Sequence, residues 1–162
     1  MIREAREQDL PAIVAIYNSS IPGRLATADT EPVPIDARRE WFRQHDRTHH
    51  PLFVFERDGT VAGWLSFEPF YGRPAYAATA EISVYVAPAL HRQGVGTALL
   101  AHSLAEAPAL GLSTLLGFIF AHNAPSVKLF EKFGFAKWAH LPEVAELDRV
   151  KRDLLILGRH VP

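Results

Sequence analysis

The segment Val84-Tyr85-Val86-Ala87-Pro88-Ala89-Leu90-His91-Arg92-Gln93-Gly94-Val95-Gly96-Thr97-Ala98-Leu99-Leu100 is an apolar strand that passes through a turn with two glycines into a helix. Residues of these types in this order make an anion cradle. Gly94 and Gly96 allow the backbone to approach a ligand, the unpaired N–H groups of the first helical turn point outward, and the helix dipole favours negative charge. Arg92 adds a mobile cation. An equal reading of the two glycines is that they let the helix pack tightly on a sheet. No G-x-x-x-x-G-K-[ST] occurs, and no third glycine follows Gly96 at dinucleotide-fold spacing, so nucleoside triphosphates and NAD are disfavoured.

A second chemical candidate is Glu81, in the apolar run Ala77-Ala78-Thr79-Ala80-Glu81-Ile82-Ser83-Val84. A carboxylate there is costly unless it meets a partner, faces solvent or lines a wet cleft. Partial burial would raise its pKa toward neutrality and make it a proton acceptor. His45, His49 and His50 invite a metal reading, but no third ligand at fixed spacing completes a site, and they read as a solvated helix end with no metal. His122 is a fallback proton carrier, with ordinary packing as its other reading.

These residues need elements to hold them. Met1 to Arg6 reads as a strand, and Asp9 to Tyr17 as a capped amphipathic helix. Ser20 to Pro34, with Pro22, Gly23, Pro32 and Pro34, is a long loop of the kind that is often functional. Asp36 then caps a helix through Trp41 and Phe42 that ends at Pro51. Leu52–Phe55 and Val61–Leu65 flank Asp58-Gly59, a strong hairpin signal. Tyr76–Val86 predicts a central strand, Gly94–Ala107 a helix, Leu115–Phe120 a strand, Ala124–Phe133 a helix ending at Gly134, and Phe135–Leu141 and Asp148–Leu157 two last strands. The expected order is β-α-α-β-β-β-α-β-α-β-β: an α/β (α+β) domain with a mixed, mostly antiparallel sheet.

Composition sets the outer bounds. With 162 residues, 48% of them hydrophobic, the chain can bury about 70% of its extended surface and needs no disulfide or metal staple. It reads as a single domain spanning residues 1–162. It has no Cys, which removes thiolate metal sites and cysteine nucleophiles and fits a reducing compartment. A net charge of −1 gives no basic face for nucleic acid or anionic lipid. No basic leader precedes an apolar run and no stretch suits a membrane span, so a cytoplasmic location is expected.

Two motifs in order carry a family resemblance. His91-Arg92-Gln93-Gly94-Val95-Gly96 resembles the [Q/R]-x-x-G-x-[G/A] motif of the GCN5-related N-acetyltransferases (GNAT), and Asn123-Ala124-Pro125-Ser126-Val127-Lys128-Leu129-Phe130-Glu131-Lys132-Phe133-Gly134-Phe135 resembles their N-x-x-[A/S]-x-x-[L]-[Y]-x-x-x-G-F hallmark. The family's element order matches the whole chain. Glu68–Tyr76 followed by Thr79–Val86 is similar to the phosphinothricin and methionine sulfoximine acetyltransferases. The resemblance implies a GNAT fold and acetyl-CoA as cosubstrate. Its pyrophosphate would lie on the amides of Arg92, Gln93, Gly94, Val95, Gly96 and Thr97, with His91 as a further phosphate contact that is weaker when neutral, and its pantetheine along Val84, Tyr85 and Val86. Asn123 would contact the pantetheine, and Ser126 and Lys128 would lie near the cofactor's other end. Asn123 serves equally as an ordinary helix N-cap. A β-bulge splaying the strand at Val84–Val86 from its neighbour is a family expectation.

The resemblance also implies a general base at Glu81, an oxyanion donor at the backbone N–H near Val84, and direct transfer of the acetyl group to the α-amino group of a small amino acid analogue. An acceptor carboxylate is best held by an Arg fork. Arg73 is the candidate, beside Phe70, Tyr71 and Tyr76, although a solvated loop Arg is its other reading. Ala26–Glu31 would close over the acceptor, with Thr30 and Glu31 offering polar contacts. Relatives are commonly homodimers, and the aromatic turn Pro69–Tyr76 would suit a dimer contact. Two departures stand out. His91 replaces the usual Gln or Arg, and Phe130 replaces a Tyr that can protonate the departing thiolate, so no general acid is named. Polyamine or protein N-terminal acceptors, and a non-catalytic acyl-CoA-binding module, are the alternatives.

Overall fold

A computed structural model describes residues 1–162. The elements are β1 (Ile2–Glu4), α1 (Leu10–Ser19), α2 (Arg39–Arg43), β2 (Leu52–Arg57), β3 (Thr60–Pro69), β4 (Thr79–Val86), α3 (Val95–Glu106), β5 (Thr114–Phe120), α4 (Ala124–Lys132), β6 (Ala136–Leu147) and β7 (Val150–His160), in the expected order. They form one seven-stranded sheet, β1-β2-β3-β4-β5-β7-β6. Only β4 and β5 run parallel; every other neighbour pair is antiparallel. The α3 crossover between β4 and β5 is what allows that one parallel pair.

The two faces of the sheet carry separate apolar clusters. Trp64, Val54 and Leu52 pack with Ile13, Ile16 and Tyr17 of α1. Leu65 and Phe67, alternating with Trp64 along β3, face Val95, Leu99 and Leu100 of α3 and Phe130 of α4. Gly63 permits the close seat of α3: a Cβ there would stand 2.8 Å from the Tyr85 carbonyl oxygen and 3.0 Å from Val95 Cγ1. The Asp58-Gly59 hairpin forms as its sequence predicts, with both residues at positive φ (53° and 74°).

Local details differ from expectation for physical reasons. Asp9 does not cap α1. Its carboxylate accepts from the Arg6 N–H at 2.7 Å and from the Arg3 fork at 2.8 and 3.0 Å, a stronger, charge-assisted use of the same oxygens. Asp36 caps nothing either, but pairs with Arg39 at 2.8 Å, in a 3-10 turn (Ile35–Arg38) that leads into α2. That helix stops at Arg43, well short of Pro51, and a turn closed by the Asp46–His50 backbone pair follows. His45 is therefore not on a solvated helix face with His49. It is largely buried, with Nδ1–H donating to the Trp41 carbonyl at 2.8 Å. The central strand begins at Thr79, because Pro74–Tyr76 folds into a 3-10 turn.

Candidate active site

The site arises where two strands part. β4 and β5 pair only at Thr79–Thr114, Ala80–Leu115 and Glu81–Leu116. Beyond Glu81, residues Ile82–Val86 pair only with β3, and Gly117–Phe120 only with β7. The separation needs no bulge: the β3–β4 register runs unbroken from Gly63–Val86 to Pro69–Ala80. The expected splay is present, and the expected bulge is not.

A cavity of about 280 Å³ fills the gap. Glu81, Ser83, Val84 and Tyr85 line it from β4, Phe118, Ile119 and Phe120 from β5, Asn123, Ser126 and Phe130 from α4 and its N-cap, and Leu25–Ala28 from the long loop. Several bonds from the framework tether that loop. Tyr85 Oη donates to the Ala26 carbonyl at 3.1 Å, Asn123 Nδ2 to the Leu25 carbonyl at 3.3 Å, and His122 Nε2 to the Arg24 carbonyl at 2.7 Å. Arg24 pairs with Asp148 at 2.7 Å, 124 residues away in the turn between β6 and β7. Tyr17, buried beneath the loop, hydrogen-bonds Thr27 and Asp29 through its hydroxyl.

Glu81 stands at the point of separation. Desolvation first, and the charge of Glu68 second, push its carboxyl up to about 7. A carboxylate so placed can take a proton at neutral pH. No partner satisfies it within the chain, and the cavity is its open side. Tyr85 is the cavity's other titratable wall. Burial raises its pKa, so it remains a neutral phenol committed to the Ala26 carbonyl. Phe130 is 4% exposed, stacked edge-on against Phe135 with centroids 5.0 Å apart, and supplies no proton. His122 does not line the cavity; its role here is to hold the loop.

The anion cradle follows β4. Pro88–Leu90 forms a 3-10 turn, Arg92 and Gly94 take left-handed backbone (φ 64° and 84°), and the twelve-residue α3 starts at Val95 with no side-chain cap. Its first-turn N–H groups are therefore uncapped, and Arg92 lies exposed beside them. Such a nest, together with the unpaired edge of β4, fits a phosphate-bearing thioester with an extended amide arm. Of the expected phosphate contacts, His91 and Gln93 spend their side chains within the turn, on the Val86 carbonyl at 2.9 Å and the Ala89 carbonyl at 3.1 Å. The two glycines divide the alternatives raised by their spacing. Gly94 is required by its backbone, whereas at Gly96 a Cβ would make only ordinary contact with Leu129, 3.4 Å away.

Asn123 is the N-cap of α4, accepting from the Ser126 N–H at 3.4 Å, and it also lines the cavity. Lys128 is exposed on α4, away from the cavity. Thr30 and Glu31 are exposed beyond the lining part of the loop. Arg73 and Tyr76 lie exposed in the turn just before β4, Tyr76 edge-on to Phe70 at 5.5 Å, and neither lines the cavity. The sequence reading missed Phe118, Leu154, Tyr17 and Glu68. Of these only the apolar strand pattern around Phe118 gave a signal, since the others depend on tertiary packing and on strand register.

A family model described as "Acetyltransferase (GNAT) family" matches residues 11–135. A Bacillus subtilis (strain 168) protein named "Putative phosphinothricin acetyltransferase YwnH" is 53% identical over 161 residues, covering 99% of this chain and 98% of that protein. An L-methionine sulfoximine/L-methionine sulfone acetyltransferase of Salmonella typhimurium is 33% identical, covering 88% of this chain and 84% of its own. The crystal structure of a phosphinothricin acetyltransferase from Sinorhizobium meliloti in complex with acetyl-CoA superposes with a TM-score of 0.93 at 25% identity, covering 99% of this chain and 88% of that one.

Proposed function

The chain belongs to the GNAT acetyltransferase family and is an N-acetyltransferase; from that premise we propose that it transfers an acetyl group from acetyl-CoA to the α-amino group of a small amino acid of the phosphinothricin or methionine sulfoximine type, with Glu81 as general base. The observation that carries this reading is the position of Glu81: at the last residue of β4 that pairs with β5, on the cavity wall, with its carboxyl pushed up to about 7.

Bound acetyl-CoA supplies an activated thioester. The chain's own residues do the rest. The uncapped amides around Gly94 to Thr97, with Arg92, hold the anionic end, and the free edge of β4 at Val84–Val86 holds an extended amide arm. The backbone N–H near Val84 donates to the oxyanion. Glu81 takes the ammonium proton, directly or through one water, so that a neutral amine attacks. The tethered loop at Leu25–Ala28 limits water in the cavity. Arg73, immediately before the Pro74–Tyr76 turn that leads to β4, anchors an acceptor carboxylate that projects from the Glu81 end. The chain acts as one catalytic domain over residues 1–162, as a homodimer through the aromatic turn Pro69–Tyr76, and in the cytoplasm. No helix is long and apolar enough to cross a membrane.

Thiol release from acetyl-CoA with phosphinothricin, methionine sulfoximine, polyamines and a peptide N-terminus tests the acceptor. Turnover confined to the two amino acid analogues is expected, and turnover with polyamines instead would overturn the assignment. Glu81→Gln should lower turnover by about 100-fold or more while leaving acetyl-CoA affinity nearly intact. Unchanged activity in that variant removes the base.

A further inference from the structure

Glu81 has a second carboxylate opposite it. Glu68 on β3 is its direct cross-strand partner. Both side chains leave the sheet on the face covered by α1 and α2, with Cβ atoms about 4.5–5.5 Å apart by antiparallel geometry. Glu68 is absent from the cavity wall. Its Oε1 instead accepts from the Trp41 indole N–H at 2.8 Å.

That indole is held firmly. Trp41 packs edge-on against Trp64 and His45, with centroids 5.5 and 4.8 Å apart, and the Arg38 guanidinium lies 5.0 Å above its ring. An indole N–H is a donor only, so the Glu68 oxygen that meets it is fixed as an acceptor. The charge of Glu68 at this separation opposes a second one on Glu81, so the Glu81 carboxyl keeps its proton to higher pH than it would alone. The bond from Trp41 directs that proton to Glu81, on the cavity side. The Arg38 cation faces the Tyr17 and Trp41 rings, and the other titratable groups that feel Glu68 include His45 and His50. Burial lowers the pKa of both, so neither supplies a compensating cation at neutral pH.

We propose that Glu68, locked by Trp41, is a positioning residue that sets the proton affinity of Glu81 and with it the pH at which the enzyme can deprotonate its acceptor. Its kinetic consequence rests on the reading of Glu81 as the base; the coupling itself does not. In Glu68→Gln the amide keeps an acceptor oxygen for Trp41 while the charge is gone.

The test follows the Glu81 carboxyl by ¹³C NMR titration in the ligand-free protein, alongside the pH dependence of kcat/KM. In Glu68→Gln both midpoints should fall by about one pH unit, as a single charge ~5 Å away would produce under partial solvent screening. Trp41→Phe, which keeps the packing and removes the donor, should move the carboxyl midpoint in the same direction by less. A merely structural role for Glu68 would lower the melting temperature and leave both midpoints in place, and that result overturns the proposal. A fall in the NMR midpoint with an unmoved kinetic limb upholds the coupling and removes Glu81 as base.

Discussion

Gly117 of β5 lies directly under the ring of Phe130: a Cβ on Gly117 would stand 2.5 Å from Phe130 Cε2 and 3.0 Å from Cδ2. The ring is wedged between that strand and Phe135, and its other side is cavity wall. Gly117→Ala must therefore push Phe130 toward the cavity. Overpacking of this kind costs about 1–3 kcal/mol, or a fall in Tm of roughly 2–10 °C for a chain of this size. Phe130→Leu should relieve most of that cost, so thermal melts of the double variant should show less than the sum of the two singles. Strict additivity would show that the ring is free to move.

The same wall makes stability depend on pH through Glu81. Its carboxyl titrates near 4.5 when unfolded and about 7 when folded. Between those values the folded state binds more protons, so stability falls as pH rises from 4.5 to 7 and the full penalty is present above 7. Glu81→Gln removes the titration. The variant should melt higher than wild type at pH 8, with the gap closing as pH drops through 7 and vanishing below about 4.5. Melting curves across that range check it. A constant gap at all pH values would mean that the carboxyl is not perturbed.

What the sequence made legible was what periodicity and short motifs encode. The hairpin at Asp58-Gly59, the helix after Gly94 and the cap at Asn123 formed where their residue types require. Positions that depend on tertiary competition were not legible. Asp9 and Asp36 look like caps, yet Arg3 and Arg39 take their oxygens. Tyr76 has strand propensity, but Pro74 starts a 3-10 turn that consumes it. Gly158 gave no signal at all, although a Cβ there would stand 2.1 Å from Trp138 Cε3 across the β6–β7 pair. Glu81 was legible as a misfit charge in an apolar strand. Its partner Glu68 was not, because only the β3–β4 register sets the two opposite each other.

The cradle offers a test that separates backbone strain from packing. Gly94 sits at φ 84° with nothing within 4 Å of where a Cβ would be. Gly94→Ala therefore costs only the left-handed conformation, about 1 kcal/mol. If the chain relaxes that strain, the first-turn amides of α3 turn away from the ligand. KM for acetyl-CoA should rise several-fold while KM for the acceptor changes little. Gly94→Asn, which tolerates left-handed backbone better, should lie between the two. Steady-state kinetics with each substrate varied in turn gives the comparison, and equal effects on both KM values would place Gly94 outside the cradle.

Arg73 gives the sharpest separation of binding from stability. It is exposed, without a carboxylate partner, at the N-cap of the 3-10 turn that precedes Thr79 and Glu81. Its removal should cost the fold less than about 0.5 kcal/mol, since no buried group loses a partner. A bidentate bond to an acceptor carboxylate is worth about 1.5–3 kcal/mol. Arg73→Ala should thus raise the acceptor KM by roughly 10–100-fold with Tm and acetyl-CoA KM unchanged. Arg73→Lys should recover only part of the loss, because a point charge cannot form the fork. An acceptor analogue lacking the α-carboxylate should show the high KM with wild type and no further loss with Arg73→Ala. If that analogue still discriminates between the two proteins, Arg73 acts on something other than the carboxylate.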